Sequence, residues 1–161
     1  AKIGLVGGTD HTSSCLLNPF CLTGFWVKEL TPEAVWDAIL QRRTQACSNG
    51  KILIWPELEG NAMGSEVSVS GKVEIKTTLS APIPVKRVCL LKDGVPLEWH
   101  DIGEQQAQIT LCDNDPEPGR HWYVVTAEGE SAFESGSYSG RENENDSVIA
   151  HASPFFVNVQ G

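Results

Sequence analysis

The sequence predicts a mainly β chain, α+β overall, built as an immunoglobulin-like antiparallel β-sandwich behind a shorter N-terminal unit. Three observations predict it. From Lys51 onward, short apolar or alternating runs recur at residues 52–55, 67–69, 73–79, 85–91, 96–99, 107–111, 121–127 and 155–159, the spacing expected of strands in a two-sheet sandwich. Turn-forming residues separate these runs: Gly71, Lys92-Asp93-Gly94, residues 113–119 and Glu128-Gly129,. Before Lys51 the pattern changes to one Gly-rich turn and one helical period. A chain of 161 residues suffices for one cored domain plus an appendage,. The division falls between a strand-loop-helix unit at 1–50 and a sandwich at 51–161.

The first element is the apolar run Ile3-Gly4-Leu5-Val6, which feeds Gly7-Gly8 and then Thr9-Asp10-His11-Thr12. Continuous apolar runs are typical of strands buried on both faces, and functional groups collect just past their C-terminal ends. Two glycines let the backbone turn sharply. Asp10 and His11 then offer oxygen and nitrogen donors suited to zinc, manganese or iron. The alternative is a capping aspartate beside a surface histidine.

A helix follows. Thr31 is a good N-cap, Pro32 at the first helical position forfeits an N–H that is unpaired there anyway, and Glu33 complements the dipole,. Val35, Trp36, Ile39 and Leu40 form one apolar face, expected to pack on a sheet,. Arg42 and Arg43 close the last turn.

Within the sandwich region, Asp93-Gly94 between two apolar runs signals a two-residue hairpin,. No Cys-Trp-Cys spacing marks a true immunoglobulin domain. Residues 131–149 read as an insertion between the last two strands. Glu142, Asn143, Glu144, Asn145 and Asp146 supply hard oxygens that could serve calcium, but lack the EF-hand register, so a solvated loop is favoured,. Asp113, Asp115 and Glu117 form a similar acidic turn. His100, His121 and His151 have no ligand spacing and read as structural or exposed.

Composition excludes several classes. No 18-residue apolar stretch exists, and no basic segment precedes a long apolar one, so neither a transmembrane helix nor a signal peptide is visible and the compartment stays unknown. Residues 1–50 balance four basic against four acidic side chains, so the whole net charge of −9 lies in residues 51–161. Such a surface repels phosphate backbones and anionic membranes. Cys15, Cys21, Cys47, Cys89 and Cys112 are odd in number and lack CxxC spacing, which favours buried reduced thiols.

Several segments in order carry a family resemblance. Gly8-Thr9-Asp10-His11, then Leu30-Thr31-Pro32-Glu33-Ala34-Val35-Trp36-Asp37-Ala38-Ile39-Leu40, then Arg42-Arg43-Thr44, then Asn61-Ala62-Met63-Gly64-Ser65-Glu66 resemble the C-terminal part of PHP-domain metallohydrolases (polymerase and histidinol phosphatase superfamily), in their carbaryl-hydrolase-like branch. His121–Val125 and Ser153–Val157 look like that family's last two strands. The resemblance implies that 1–50 is the terminal strand-loop-helix unit of a TIM-like barrel and that a β-sandwich follows it. It also implies an upstream barrel portion as partner, and a parent that hydrolyses a phosphoester, ester or amide with a divalent metal (zinc, manganese or iron). Asp10 and His11 would contribute to that metal cluster. Thr12 stands where the family has its second ligand, a histidine, and the family's N-terminal His-x-His is not in this chain. The isolated chain is therefore expected to be inactive and to hold two metal ligands at most. It starts in a strand-like run without Met, as a piece of a longer protein would.

Two other readings stand beside the hydrolase. One is a non-catalytic sandwich module that binds a partner or carbohydrate, which an aromatic row drawn from Trp55, Trp99 and Trp122 would support. The other is a degenerate, purely structural family member. A truncated apolar strand at Ile3, Leu5 and Val6 is expected to pack onto the sandwich or onto a second copy of the chain.

The metal expectation is tested by elemental analysis of the purified chain beside Asp10→Ala. Stoichiometric zinc, manganese or iron that vanishes in the variant is the expected result for a retained site; metal-free protein overturns it for this chain.

Overall fold

The computed structural model describes residues 1–8, 21–48, 51–129 and 148–161. In chain order these form β1 (Cys21–Phe25), α1 (Pro32–Leu40), β2 (Thr44–Ser48), β3 (Leu53–Leu58), β4 (Asn61–Ala62), β5 (Glu66–Ser70), β6 (Val73–Lys92), β7 (Val95–Asp113), β8 (Gly119–Gly129), β9 (Val148–Ala152) and β10 (Phe155–Gln160). All ten strands belong to one hydrogen-bonded sheet that curls on itself. The chain is mainly β, as its alternating runs predict, with one helix.

The long strand β6 makes the curl. Its first half pairs with β3, from Ile75 opposite Leu58 to Ser80 opposite Leu53. Its second half pairs on the same edge with β8, from Val85 opposite Gly129 to Lys92 opposite Tyr123. Between Ser80 and Val85 the register shifts, in the segment Ala81-Pro82-Ile83-Pro84, where each proline lacks a ladder donor. The strand can therefore leave one layer and enter the other. β7 follows it antiparallel on the opposite edge. The 73–79 and 85–91 runs are thus one strand in two layers, as are 96–99 and 107–111.

β8 carries β9 and then β10 along its other edge. β10 receives β5 in parallel, and β9 leads through β2 to β1. β1 and β2 therefore continue the sandwich sheet without a seam. Inward-facing residues of both layers form one core: Ile54 and Leu58, Val73, Ile75 and Leu79, Val88 and Leu90, Tyr123 and Val125, Phe155 and Val157. Cys47 and Cys89 are buried and Cys21 and Cys112 half-buried, and Cys21, Cys89 and Cys112 are free thiols; Cys15 lies outside the described residues.

The helix start is as expected: Thr31 Oγ1 accepts from Ala34 N–H at 3.2 Å, with Pro32 in the first turn. Its apolar face is not. Ala38 alone is fully buried, while Trp36 is 62 % exposed and Leu40 and Ile39 lie largely open. Arg42 enters the left-handed region and its Nε donates to Gly64 O at 2.9 Å, and Arg43 pairs with Asp37. Of the N-terminal expectation, the packing of residues 1–8 on the sandwich as a strand is corrected. Residues 1–8 form no strand, and Ile3 and Val6 stay exposed rather than packing on the sandwich. Leu5 N–H donates to Ser153 Oγ at 2.8 Å and Gly7 N–H to Thr23 Oγ1 at 2.9 Å.

The hairpin joining β6 to β7 turns through Asp93 and Gly94 alone, with φ of 50° and 86°, as a two-residue turn of the primed type requires. Asp93 also reaches β8. Its Oδ1 accepts from Trp122 N–H at 2.9 Å and its Oδ2 meets His121 Nδ1 at 2.7 Å. His121 Nε2 lies 2.9 Å from Glu117 O. Both neighbours of the ring are acceptors, so it makes both contacts when it carries both protons. Beside it, Tyr123 OH donates to Asp113 Oδ2 at 2.7 Å, and Lys92 Nζ lies 3.0 Å from the same oxygen. His121 is thus neither a ligand nor idle; it ties the hairpin turn to the 113–119 loop.

Burial works to raise the Asp93 carboxyl, but its bonds to His121 and Trp122 outweigh that and hold it below the ordinary value. At Asp113 burial is likewise overcome by Tyr123 and Lys92. A carboxyl depressed in the fold stabilises it above its unfolded value, and that contribution is lost as pH falls through the folded one. The urea midpoint of the protein is therefore expected to fall as pH drops below about 4, and the fall to be shallower in Asp113→Asn. Parallel pH profiles for the two proteins overturn this.

Candidate functional site

Alternation along β3 sends Ile54, Pro56 and Leu58 into the core and Leu53, Trp55 and Glu57 outward. The register sets an outward residue of β6 opposite each: Ser80, Thr78 and Lys76. β7 adds Gln106, Gln108 and Thr110 in the next column. Residues directly opposite on a ladder stand roughly 5 Å apart, so three strands present a regular grid. Over Trp55 stands Trp26, from the segment after β1, with ring centroids 4.3 Å apart and planes at 71°. The result is an open cleft of about 440 Å³ with two indoles at its edge and polar side chains on its floor, within the usual size range of small-molecule sites.

The tryptophan pair depends on one buried side chain. Gln45 of β2 is fully buried, and its amide does the work of a missing strand. Its Nε2 donates to Ile52 O at 2.7 Å and its Oε1 accepts from Ile54 N–H at 2.9 Å. The free edge of β3 is thereby satisfied just before Trp55. Gly24 of β1 makes room, since a Cβ there would sit 2.8 Å from Gln45 Cγ. Trp26 N–H then donates to Arg43 O at 3.0 Å, which fixes the chain above the cleft.

The polar groups are largely unspent. Trp55 Nε1 donates to Glu57 Oε1 at 3.2 Å. Lys76, Thr78, Ser80, Gln106, Gln108 and Thr110 make no side-chain hydrogen bond or ion pair with the described residues. The Trp26 indole N–H is buried and has no acceptor among them.

Asp10 and His11, the expected metal ligands, lie outside the described residues, as does the acidic run Glu142–Asp146. Among the described residues, no three His, Cys, Asp or Glu side chains gather to hold a metal. The acidic turn is otherwise engaged, since Asp113 is taken by Tyr123 and Lys92. His151 is half-buried, and that desolvation lowers its pKa and favours the neutral ring. Of the three candidate tryptophans, only Trp55 joins the cleft. Trp99 lies opposite Cys89 under the Arg87 guanidinium, 4.2 Å from its ring centre, and Trp122 sits beside the Gly94 turn. The partner of Trp55 is Trp26, which no periodicity marks. The outward set Leu53, Trp55, Glu57 was readable, because it alternates with Ile54, Pro56 and Leu58.

No protein-family model matches the chain, and no curated protein matches it. Solved structures similar to it include a lytic polysaccharide monooxygenase of Jonesia denitrificans, with 15 % identity over 59 % of this chain and a TM-score of 0.40. This chain spans 58 % of the length of that one. The CARDB domain of the PF1109 protein from Pyrococcus furiosus, in complex with di-metal ions, covers 69 % of this chain and is covered over 94 % of its own, at 14 % identity and TM-score 0.41. Its solution structure gives 14 % and 0.42. At that level of likeness, no residue of this chain takes a role from them.

Replacing Gln45 by Leu leaves Ile52 O and Ile54 N–H buried without partners. The expected cost is about 2–5 kcal/mol in urea unfolding, with a loss of near-ultraviolet circular dichroism from the paired indoles. An unchanged midpoint and spectrum would show that the clamp does not hold the site.

Proposed function

We propose that this chain is a non-catalytic β-sandwich module that binds a ligand on the face bearing Trp26 and Trp55. The observation that carries the reading is the combination on one rigid sheet of an exposed indole, 41 % accessible, with a surrounding grid of unspent polar side chains. Strand-borne positions hold their side chains more precisely than loops do, which favours recognition. The face offers no nucleophile paired with a base. The hydroxyls lining the cleft, Thr78 and Ser80, have no histidine partner among the described residues, and the carboxylate in that lining, Glu57, accepts from Trp55.

A second reading keeps the PHP resemblance. In it the chain is the C-terminal part of a metal-dependent hydrolase, with Asp10 and His11 completing a metal cluster in the parent that activates water. The exposed apolar face of α1 supports this reading, because Trp36, Ile39 and Leu40 offer a preceding unit a surface to pack on,. Exposed Ile3 and Val6 likewise suit pairing with a second copy.

The binding reading is tested by titrating ¹⁵N-labelled chain with neutral oligosaccharides, proline-rich peptides and sulfated oligosaccharides while following the indole N–H signals. One class is expected to move the Trp26 and Trp55 signals and leave Trp99 and Trp122 in place. No movement with any class overturns the reading.

A further inference from the structure

We infer that the ligand of the Trp26–Trp55 face is a neutral, hydroxyl-rich sugar chain, laid with a pyranose face on the Trp55 ring. This rests on the binding reading above and names the ligand class for that site.

Four observations select it. Trp55 is 41 % exposed and Trp26 meets it edge to face, so the part of the Trp55 ring that Trp26 leaves uncovered is the platform and Trp26 the wall. The C–H face of a pyranose stacks on such a platform through dispersion and weak C–H contacts to the π-system. Beside the platform, Thr78 and then Gln108 lie in the same row, with Ser80 and Gln106 in the next. Hydroxyls and amides both donate and accept, which is what sugar hydroxyls require on each side.

Charge points the same way. The lining of the cleft carries one acid and one base, Glu57 and Lys76, directly opposite on the ladder. They leave it locally neutral in a chain of net charge −9. A phosphate or sulfate chain finds no basic cluster and meets a repelling surround.

Peptide occupants fit less well. Strand addition needs free backbone groups at the β3 edge, but Gln45 already occupies Ile52 O and Ile54 N–H, and Pro56 has no N–H,. A polyproline ligand needs a groove between several aromatic ridges, and this cleft has one platform. The open cleft of about 440 Å³ admits a chain passing across it rather than a single enclosed ring.

The test is calorimetric titration of the full chain with cellohexaose, xylohexaose and maltohexaose. At least one is expected to bind, with affinity indifferent to salt. Trp55→Ala is expected to weaken that binding by about tenfold or more, and Gln108→Ala by roughly fivefold. Should Trp55→Ala lose its fold by circular dichroism, Gln108→Ala and Trp55→Phe carry the test, the latter retaining binding at reduced affinity. Binding that survives both Trp55→Ala and Gln108→Ala unchanged overturns the site. Failure of all three sugars, with a proline-rich peptide or sulfated oligosaccharide moving the Trp55 indole signal, overturns the ligand class and leaves the binding module standing. Failure of every probe overturns both.

Discussion

One strand has to belong to two layers. β6 pairs with β3 before Ser80 and with β8 after Val85, and the core exists because the two halves face each other across it. A regular ladder through that point would keep the sheet nearly flat and leave Ile75, Leu79, Val88 and Leu90 without an opposing surface. Pro82 and Pro84 remove two donors there, and the register shifts on both sides of Val85,. The lapse in hydrogen bonding is what lets apolar burial proceed. Because β7 keeps a continuous register with β6 from Val73 to Ser80, the outer face of that layer stays regular even though the strand bends beyond it.

The regular outer face is where the tryptophan cleft lies, and its construction links a buried amide to an exposed aromatic. Ile52 O and Ile54 N–H would be buried orphans without Gln45, at a cost of about 1–3 kcal/mol each. The amide meets both with one side chain. Only glycine at position 24 leaves space for it. That clearance brings the chain after β1 close to β3, so Trp26 arrives over Trp55. Position, rather than composition, turns two of five tryptophans into a site.

Local features were legible in the sequence and long-range ones were not. The Asp93-Gly94 turn, the Thr31 cap and the alternating strand runs each depend on neighbours within a few residues, and each stands where expected. What the sequence concealed spans greater separations. Nothing near His121 announces that Asp93 and Glu117 will bracket its ring, and nothing near Trp26 announces Trp55. The fusion of four short runs into β6 and β7 was hidden because prolines mark strand breaks and strand bends alike. Helical periodicity showed correctly which residues of α1 share a face, but periodicity carries no statement of what that face meets. The family resemblance rests on motifs whose proposed ligands, Asp10 and His11, lie outside the described residues, so the fold neither gains nor loses from it.

The two exposed aromatic patches differ in chemistry, and under the proposed function they would suit different kinds of partner. Around Trp55 the neighbours are Trp26 and Leu53, hydroxyls, amides, and one acid and one base opposite each other on the ladder. A ligand there must supply hydrogen-bonding groups at a matching density or leave desolvated polar atoms unpaired. Around Trp36 the neighbours at three and four residues' distance are Ile39 and Leu40, which lie on the same helical face. Contact with that stripe gains from apolar burial and asks for no polar complement. A hydroxyl-rich chain would gain little on α1, and an apolar protein surface would strand the polar grid around Trp55. A short helix of nine residues is marginal alone,, and the burial of Ala38 and the Arg42 bond to Gly64 tie it to the rest of the chain. On the proposed reading the apolar stripe is open to a protein surface while the Trp55 face would take the polar ligand.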